Sequence, residues 1–301
     1  RYVSSPMRLA CRRFIFEEGV MVPVYPSYLQ LHKYDFMAMN NKLFEHGLKK
    51  IRRLGHTMEF EQIKEYVSGD DLRTINWKAT AKRKQLMVNQ FQDERSQNIY
   101  TIIDTGRIMK MPFDGLSLLD HAVNSALILS SVILRKNDKA GMLTFSKTVG
   151  NYVPADRRPG HMQRIQEKLY NADTNYLESD FGTLYANLRR NITQCSLLLL
   201  YTNFETLDGL KRQLPYLKAI AKSHMLVVVF FENVELDKLI HTTPEHIKQV
   251  YDQVIAEKFA FEKRLIVNEL RKYGIYSVLT KPENLTVDSI NKYLEIKARG
   301  I

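Results

Sequence analysis

Asp104 closes an apolar run, NIYTII at residues 98–103, as a buried strand does when it reaches a sheet edge and delivers a carboxylate there. A carboxylate so placed can help hold a hard cation such as Mg²⁺, which takes near-octahedral oxygen from carboxylate, hydroxyl and water. Hydroxyl side chains should then follow, yet the next residues are Thr105, Gly106, Arg107 and Ile108. A second apolar run, CSLLLLYTNF at 195–204, carries Asn203 at its end. In open α/β sheets functional groups gather beyond the carboxyl ends of the strands, where strand order reverses. Asp104 and Asn203 therefore mark the place where a site is expected. Without a metal, Asp104 is expected to cap the backbone that follows it or to pair with Arg107 or Lys110.

The elements that must position these residues are legible from residue 98 onward. Strand NIYTIID is followed by GLSLLDHAVNSALILSSVILRK at 115–136, whose apolar residues recur at three and four, the helical period. KAGMLTFS and TVGNYVPA predict two strands, and HMQRIQEKLYNA and FGTLYANLRRNI two helices. After the run at 195–204 come a helix at 207–223, an apolar strand HMLVVVFFEN at 224–233, a long helix at 245–274, and a closing strand and helix, IYSVLT and LTVDSINKYLEIKAR. The aromatic stretch FAFEKR predicts that the long helix lies along a sheet edge, against the N-terminal strands, or at an oligomer contact. Continuously apolar strands alternating with helices imply a mostly parallel sheet covered on both faces. The expected division is an N-terminal β-rich segment at 1–97, with a helix at 35–53, and a doubly wound α/β domain at 98–301. Residues 55–94 predict a long irregular connection with short strands.

Composition narrows the class. The chain has 301 residues, 45% hydrophobic and 26% charged, which is globular rather than disordered. Its two cysteines, Cys11 and Cys195, build neither a disulfide framework nor a thiolate cage, and Cys195 opens an apolar run, which predicts a buried thiol in a reducing, cytoplasmic setting. The opening Arg1 and the strand-like RLACRRFIFEEGVMVPVYPSYLQLHKYD predict that this chain continues a longer one. No run approaches the roughly 18 apolar residues of a membrane span. The net charge of +11 is concentrated at 49–53, 78–84 and 157–161. Such basicity suits a solvated face, an anionic lipid surface or nucleic acid. The clusters lack regularly interleaved aromatics, and no helix-turn-helix, zinc-finger or RNA-recognition signature is present, so no nucleic acid is expected as partner.

A second constellation precedes the α/β domain, in EFEQIKEYVSGDDLRTINWKATAKRK at 59–84. SGDD supplies a turn and helix-capping carboxylates, so Asp70 or Asp71 is expected to cap the next turn and Arg73 to meet one of them in a two-point ion pair. The stretch reads either as a bracket that holds the N-terminal strands on the sheet or, through exposed Trp77 and Arg73, as a surface a partner recognises. Glu59, Phe60, Tyr66, Gly69, Asp70, Asp71, Arg73, Ile75, Trp77, Ala81 and Lys82 resemble the motif of the family called domain of unknown function 58, with Lys64, Asn76, Thr80 and Lys82 departing mildly from it.

That resemblance implies a von Willebrand factor A-like fold. The metal-ion-dependent adhesion site of such folds begins Asp-x-Ser-x-Ser at the first strand end. By resemblance this chain keeps Asp104 but has Gly106 and Ile108 for the two serines, Thr174 for the loop threonine, and Asn203 for the second carboxylate. The implied site is degenerate, with no metal or other cofactor expected, Mg²⁺ included. The family implies a non-enzymatic adaptor, working with a MoxR-type AAA+ ATPase on a client protein in assembly or maturation. Members are often preceded by membrane spans, which places this chain at the cytoplasmic face of the inner membrane beside an anionic surface. The alternative is a basic nucleic-acid-binding protein.

Catalysis finds no footing in the residues. No GxxxxGK[ST], no GxGxxG after a strand and no GxSxG elbow is present. Histidines are dispersed, and His241 and His246 are five apart across Pro244 instead of at the four-residue helical spacing of zinc proteases.

Overall fold

The computed structural model describes residues 2–4, 11–13, 59–68, 70, 72–83, 85–92, 96–113, 115–170, 172, 177–233, 236, 239, 240 and 246–299. β1 (Tyr2–Ser4) and β2 (Cys11–Arg13) pair antiparallel. The helix expected at 35–53 lies outside the described residues. β3 (Glu59–Glu65) is followed by a 3₁₀ turn, Leu72–Thr74, then α1 (Trp77–Arg83) and β4 (Met87–Gln92), which returns antiparallel to β3. The stretch expected to be mostly irregular is thus an ordered excursion. Its turn is built locally, because Asn76 Oδ1 accepts from Ala79 N at 3.0 Å and caps α1, while Thr80 Oγ1 accepts from Met87 N at 3.0 Å.

The α/β domain begins with β5 (Asn98–Asp104), a 3₁₀ turn at Arg107–Lys110, and a small ribbon of β6 (Pro112–Phe113) and β7 (Leu116–Ser117). It continues through α2 (Leu118–Arg135), β8 (Lys139–Phe145), β9 (Val149–Asp156), α3 (His161–Tyr170) and α4 (Phe181–Asn191). The second half contains β10 (Leu197–Tyr201), α5 (Leu207–Ala221), β11 (Met225–Phe231), α6 (Ile247–Lys272), β12 (Tyr276–Thr280) and α7 (Leu285–Ala298).

The central sheet runs β12-β11-β10-β5-β8-β9. All neighbouring pairs are parallel except β8 with β9, so an antiparallel strand closes one edge. The chain winds outward from β5 through β8 to β9, then returns to β10 on the other side of β5. The reversal of strand order therefore falls between β5 and β10, which puts the crevice at the ends expected from Asp104 and Asn203.

Alternation along each strand divides the core in two. Ile99, Ile103, Leu199, Tyr201, Val227 and Val229 face α2, α3 and α7, whereas Tyr100, Ile102, Leu198, Leu200, Val228 and Phe230 face α4, α5 and α6. A fully buried side chain of this size contributes roughly 1.5–3 kcal/mol, so both faces of the sheet are stabilised. Helix α2 is apolar and long enough to cross a membrane by length and composition, but most of its surface is buried against the sheet and α7. A capping box starts it: Asp120 N donates to Ser117 Oγ at 3.1 Å and Ser117 N to Asp120 Oδ2 at 2.9 Å. Helix α6 is anchored mainly through its second half, at Ile266 and Leu270, while Ile247, Tyr251 and Val254 in its first half are exposed.

One expectation about the ends of strands is corrected. Cys195 is exposed, because β10 begins only at Leu197 and the thiol lies before the buried run.

Candidate functional site

Asp104 is the last residue of β5 and has 0% of its surface exposed. Its carboxylate does not pair with Arg107, which instead lies 3.8 Å from Glu178 at the surface. Oδ1 accepts from Gly106 N at 2.8 Å and from the Ser179 hydroxyl, and Oδ2 accepts from Thr202 Oγ1 at 2.7 Å. Burial pushes the carboxyl above the usual carboxylate range, and those three hydrogen bonds oppose it. Capping of the following backbone, at Gly106, is therefore as expected, whereas the two hydroxyl donors come from elsewhere in the chain.

The loop before α4 carries Ser179, and backbone bonds hold it on both sides. Arg107 N donates to Leu177 O at 3.0 Å and Asp180 N to Ser146 O at 3.0 Å. Asp180 then caps α4, accepting from Gly182 N at 2.8 Å and Thr183 Oγ1 at 2.6 Å. This pinning drives the Ser179 hydroxyl into the space that a Cβ on Gly106 would fill, with Asp104 Oδ1 3.0 Å and Leu177 O 3.2 Å from the same point. Gly106 is the signal that sequence reasoning could have used for Ser179: a residue without Cβ beside a functional carboxylate marks a close approach. Thr202, one residue before the position singled out, was likewise missed.

An expected outcome follows for Gly106→Ser, which restores a hydroxyl where the resembled pattern has one. The variant loses about 1–3 kcal/mol in urea unfolding through overpacking. Adding Ser179→Ala recovers most of that loss, because it removes the atom in the way; strictly additive costs in the four-protein cycle would refute the contact.

Asn203 is 4% exposed and lies two residues beyond β10, where the expected strand was drawn longer, and it faces a cation already supplied by the protein. Lys263 of α6 donates from Nζ to Asn203 Oδ1 at 2.7 Å and to the Phe204 carbonyl at 2.5 Å. Burial pulls the Lys263 ammonium down to about 8, against the upward pull of Glu205 and Glu232. Ile108 is half-buried in the 3₁₀ turn and supplies no oxygen from its side chain. Thr174 lies outside the described residues.

This donor set does not fit a hard divalent cation. Asp104 is sealed from solvent with both oxygens already accepting, Asn203 gives its oxygen to an ammonium, and Gly106 and Ile108 offer no side-chain oxygen. Among the described residues no cluster of three or more His, Cys, Asp or Glu side chains is arranged to hold a metal.

The earlier constellation is described at Asp70. Asp70 turns backwards: Oδ2 accepts from Val67 N at 3.0 Å and Oδ1 from Lys64 Nζ at 2.9 Å, which holds its carboxyl below the usual range. The ion pair of Asp70 is thus with Lys64, a residue six positions before it, and α1 is capped by Asn76. The other half of the expectation, a cap or an Arg73 pair at Asp71, falls outside the described residues. Gly69 and Asp71 lie outside the described residues. Trp77 opens α1 with 70% of its surface exposed, near exposed Leu72 and Arg73 in the chain.

A family model described as a protein of unknown function, DUF58, matches residues 62–238, more than half of the 301 residues. The chain belongs to the DUF58 family. A curated relative is the uncharacterized protein YeaD of Bacillus subtilis, 25% identical over 161 residues, which are 51% of this DUF58 chain and 36% of YeaD. The chain thus matches about a third of that relative's length. Solved structures similar to it include the conserved hypothetical protein BatB from Bacteroides thetaiotaomicron, at TM-score 0.38 and 12% identity over 68% of this chain and 100% of that one. A von Willebrand factor type A protein from Catenulispora acidiphila is similar at TM-score 0.37 and 9% identity, over 71% of this chain and 44% of that one. At scores this low, the von Willebrand factor A-like fold of this DUF58 chain stands on its own strand order, with a parallel sheet, one antiparallel edge and the reversal at Asp104.

Proposed function

We propose that this DUF58 chain is a non-enzymatic protein-interaction domain built on a degenerate metal-ion-dependent adhesion site. We further propose that it acts with a MoxR-type AAA+ ATPase in the assembly or maturation of a client protein, at the cytoplasmic face of a membrane. The observation that carries the reading is the saturation of Asp104 by Gly106, Ser179 and Thr202, with the Lys263 ammonium on Asn203. A cation supplied by the protein stands near where a bridging metal would be recruited. Partner capture then depends on surface and cavity rather than on Mg²⁺. The exposed Trp77 favours the motif surface as the place the ATPase meets, since Trp and Arg dominate interface energies.

The test is capture of the purified ATPase by the immobilised chain, with and without ATP, using wild type and Trp77→Ala. The ATPase is retained by wild type, retention is unchanged by EDTA, and the Ala variant weakens it by about tenfold or more. Absence of capture in either nucleotide state, or loss of capture on chelation, overturns the reading. The net charge of +11 favours the competing nucleic-acid reading. A salt-dependent shift of DNA or RNA at physiological ionic strength would support that reading instead.

A further inference from the structure

A cavity of about 500 Å³ opens at the carboxyl ends of β10, β11 and β12, a volume typical of small-ligand sites. Phe113, Leu118, Phe231, Phe259 and Leu279 give it apolar walls, and Asn203, Glu205, Glu232, Lys263 and Arg264 its charged and amide lining.

The hydrogen bonds at its floor force one orientation. A lysine ammonium only donates, so the Asn203 oxygen must face Lys263 and the amide Nδ2 must face away. That Nδ2 donates to nothing among the described residues. It is also not among their sealed, unpartnered side-chain atoms, which are His224 Nδ1 and Ser289 Oγ, so it reaches open space. Lys263 spends two of its three N–H bonds on Asn203 and Phe204, leaving the third without a protein acceptor among the described residues. Two spare donors on hydrogen-bonded neighbouring side chains beside an apolar cavity suit the two oxygens of one carboxylate.

We propose that Lys263 Nζ and Asn203 Nδ2 form a two-point receptor for the C-terminal carboxylate of a partner polypeptide whose last side chain is apolar and fills the cavity. At a chain terminus the carboxylate and the apolar side chain leave the same carbon, as the juxtaposed floor and walls require. An Asp or Glu side chain carries no such apolar branch. Glu205 and Glu232 offset Lys263 and Arg264 in the lining, so a ligand with more than one negative charge, a phosphate or an acidic run, is disfavoured. Burial pulls the Lys263 ammonium down to about 8, against the upward pull of Glu205 and Glu232, and Arg264 lies in the same lining. An arriving carboxylate replaces the water that burial denies the ammonium, and affinity is held below this pH and lost above it as Lys263 deprotonates.

This proposal rests on the interaction-domain reading and names the chemistry of its partner. The test is calorimetric titration of the full chain with N-acetyl-Gly-Gly-Phe, its C-terminal amide, and N-acetyl-Gly-Glu-Phe-amide, in which the acid is moved to a side chain. The free C-terminal acid binds about tenfold or more tighter than either amide at neutral pH. Lys263→Met abolishes the preference, and affinity falls about tenfold between about pH 7 and about pH 9. Equal binding of acid and amide by wild type, or none, overturns the receptor whatever the folding of the variant. Equal binding of the side-chain acid overturns the terminal carboxylate as occupant. A folded Lys263→Met that keeps the preference overturns the role of the lysine. The ATPase capture assay read in parallel separates the two ideas: capture without an acid preference sinks the receptor alone, and an acid preference without capture sinks the ATPase reading alone.

Discussion

Asp138→Ala lowers the unfolding free energy of the α/β domain by about 3–5 kcal/mol, because it removes the buried carboxylate to which an ammonium, a phenol and a backbone N–H donate. Asp138 is 1% exposed in the turn between α2 and β8. Its Oδ2 accepts from Tyr293 Oη at 2.6 Å and from Lys297 Nζ at 2.7 Å, and its Oδ1 from Gln97 N at 3.1 Å. Lys297 is 9% exposed and also donates to the Lys136 carbonyl at 3.1 Å. One carboxylate thus ties the C-terminal helix α7, the end of α2 and the residue before β5 together. Urea denaturation of Asp138→Ala, Lys297→Met and the double variant reads the coupling directly. The double variant recovers a large part of the single loss, since removing both members of a buried pair costs less than removing one. A loss below about 1 kcal/mol for Asp138→Ala would show that the network contributes no more than a surface pair.

The second large effect separates the charge of Asp104 from its shape. Asp104→Ala leaves Gly106 N, Ser179 Oγ and Thr202 Oγ1 without their acceptor, and with each lost buried bond costing about 1–3 kcal/mol the net destabilisation is about 2–4 kcal/mol after relief of the buried charge. Asp104→Asn keeps an oxygen for Gly106 and Ser179 and turns an N–H toward the Thr202 hydroxyl, so it lies within about 1 kcal/mol of wild type at neutral pH. The pH dependence has a definite sign. Burial raises the folded-state affinity of Asp104 for its proton above the unfolded value, so just above the ordinary carboxylate range the folded state still holds a proton that the unfolded state has released. The stability this group contributes is present in acid and is lost as pH rises through its folded-state value. Measured from about pH 4 to about pH 7, the Asn variant gains on wild type with rising pH. Parallel stability curves for the two would mean that Asp104 is not held against its charge. Loss of fold in the Asn variant as severe as in the Ala variant would mean that the carboxylate charge itself is required.

By itself the sequence determined the architecture that was found and left the chemistry of its crevice open. The runs at 99–103, 197–201 and 226–231 are apolar throughout except at Thr101, because those strands are buried on both faces, and the helices between them carry three-and-four spacing because each buries one side. Both are local properties, readable in windows of a few residues, and so is the motif around Trp77. The excursion from β3 to β4 was less legible, since its order comes from Asn76, Thr80 and Asp70 making particular backbone bonds within polar, turn-rich sequence. Tertiary structure alone decided what surrounds Asp104. Ser179 and Thr202 reach it across 75 and 98 residues, and Lys263 reaches Asn203 across 60. No periodicity encodes such separations; they follow from the reversal of strand order between β5 and β10, and from α6 laying Lys263 against the end of β10. Hydroxyls absent from positions 106 and 108 arrive from distant loops, and a lysine from a distant helix stands beside the asparagine where the resembled pattern has a carboxylate, because packing brings together side chains that the chain order keeps apart.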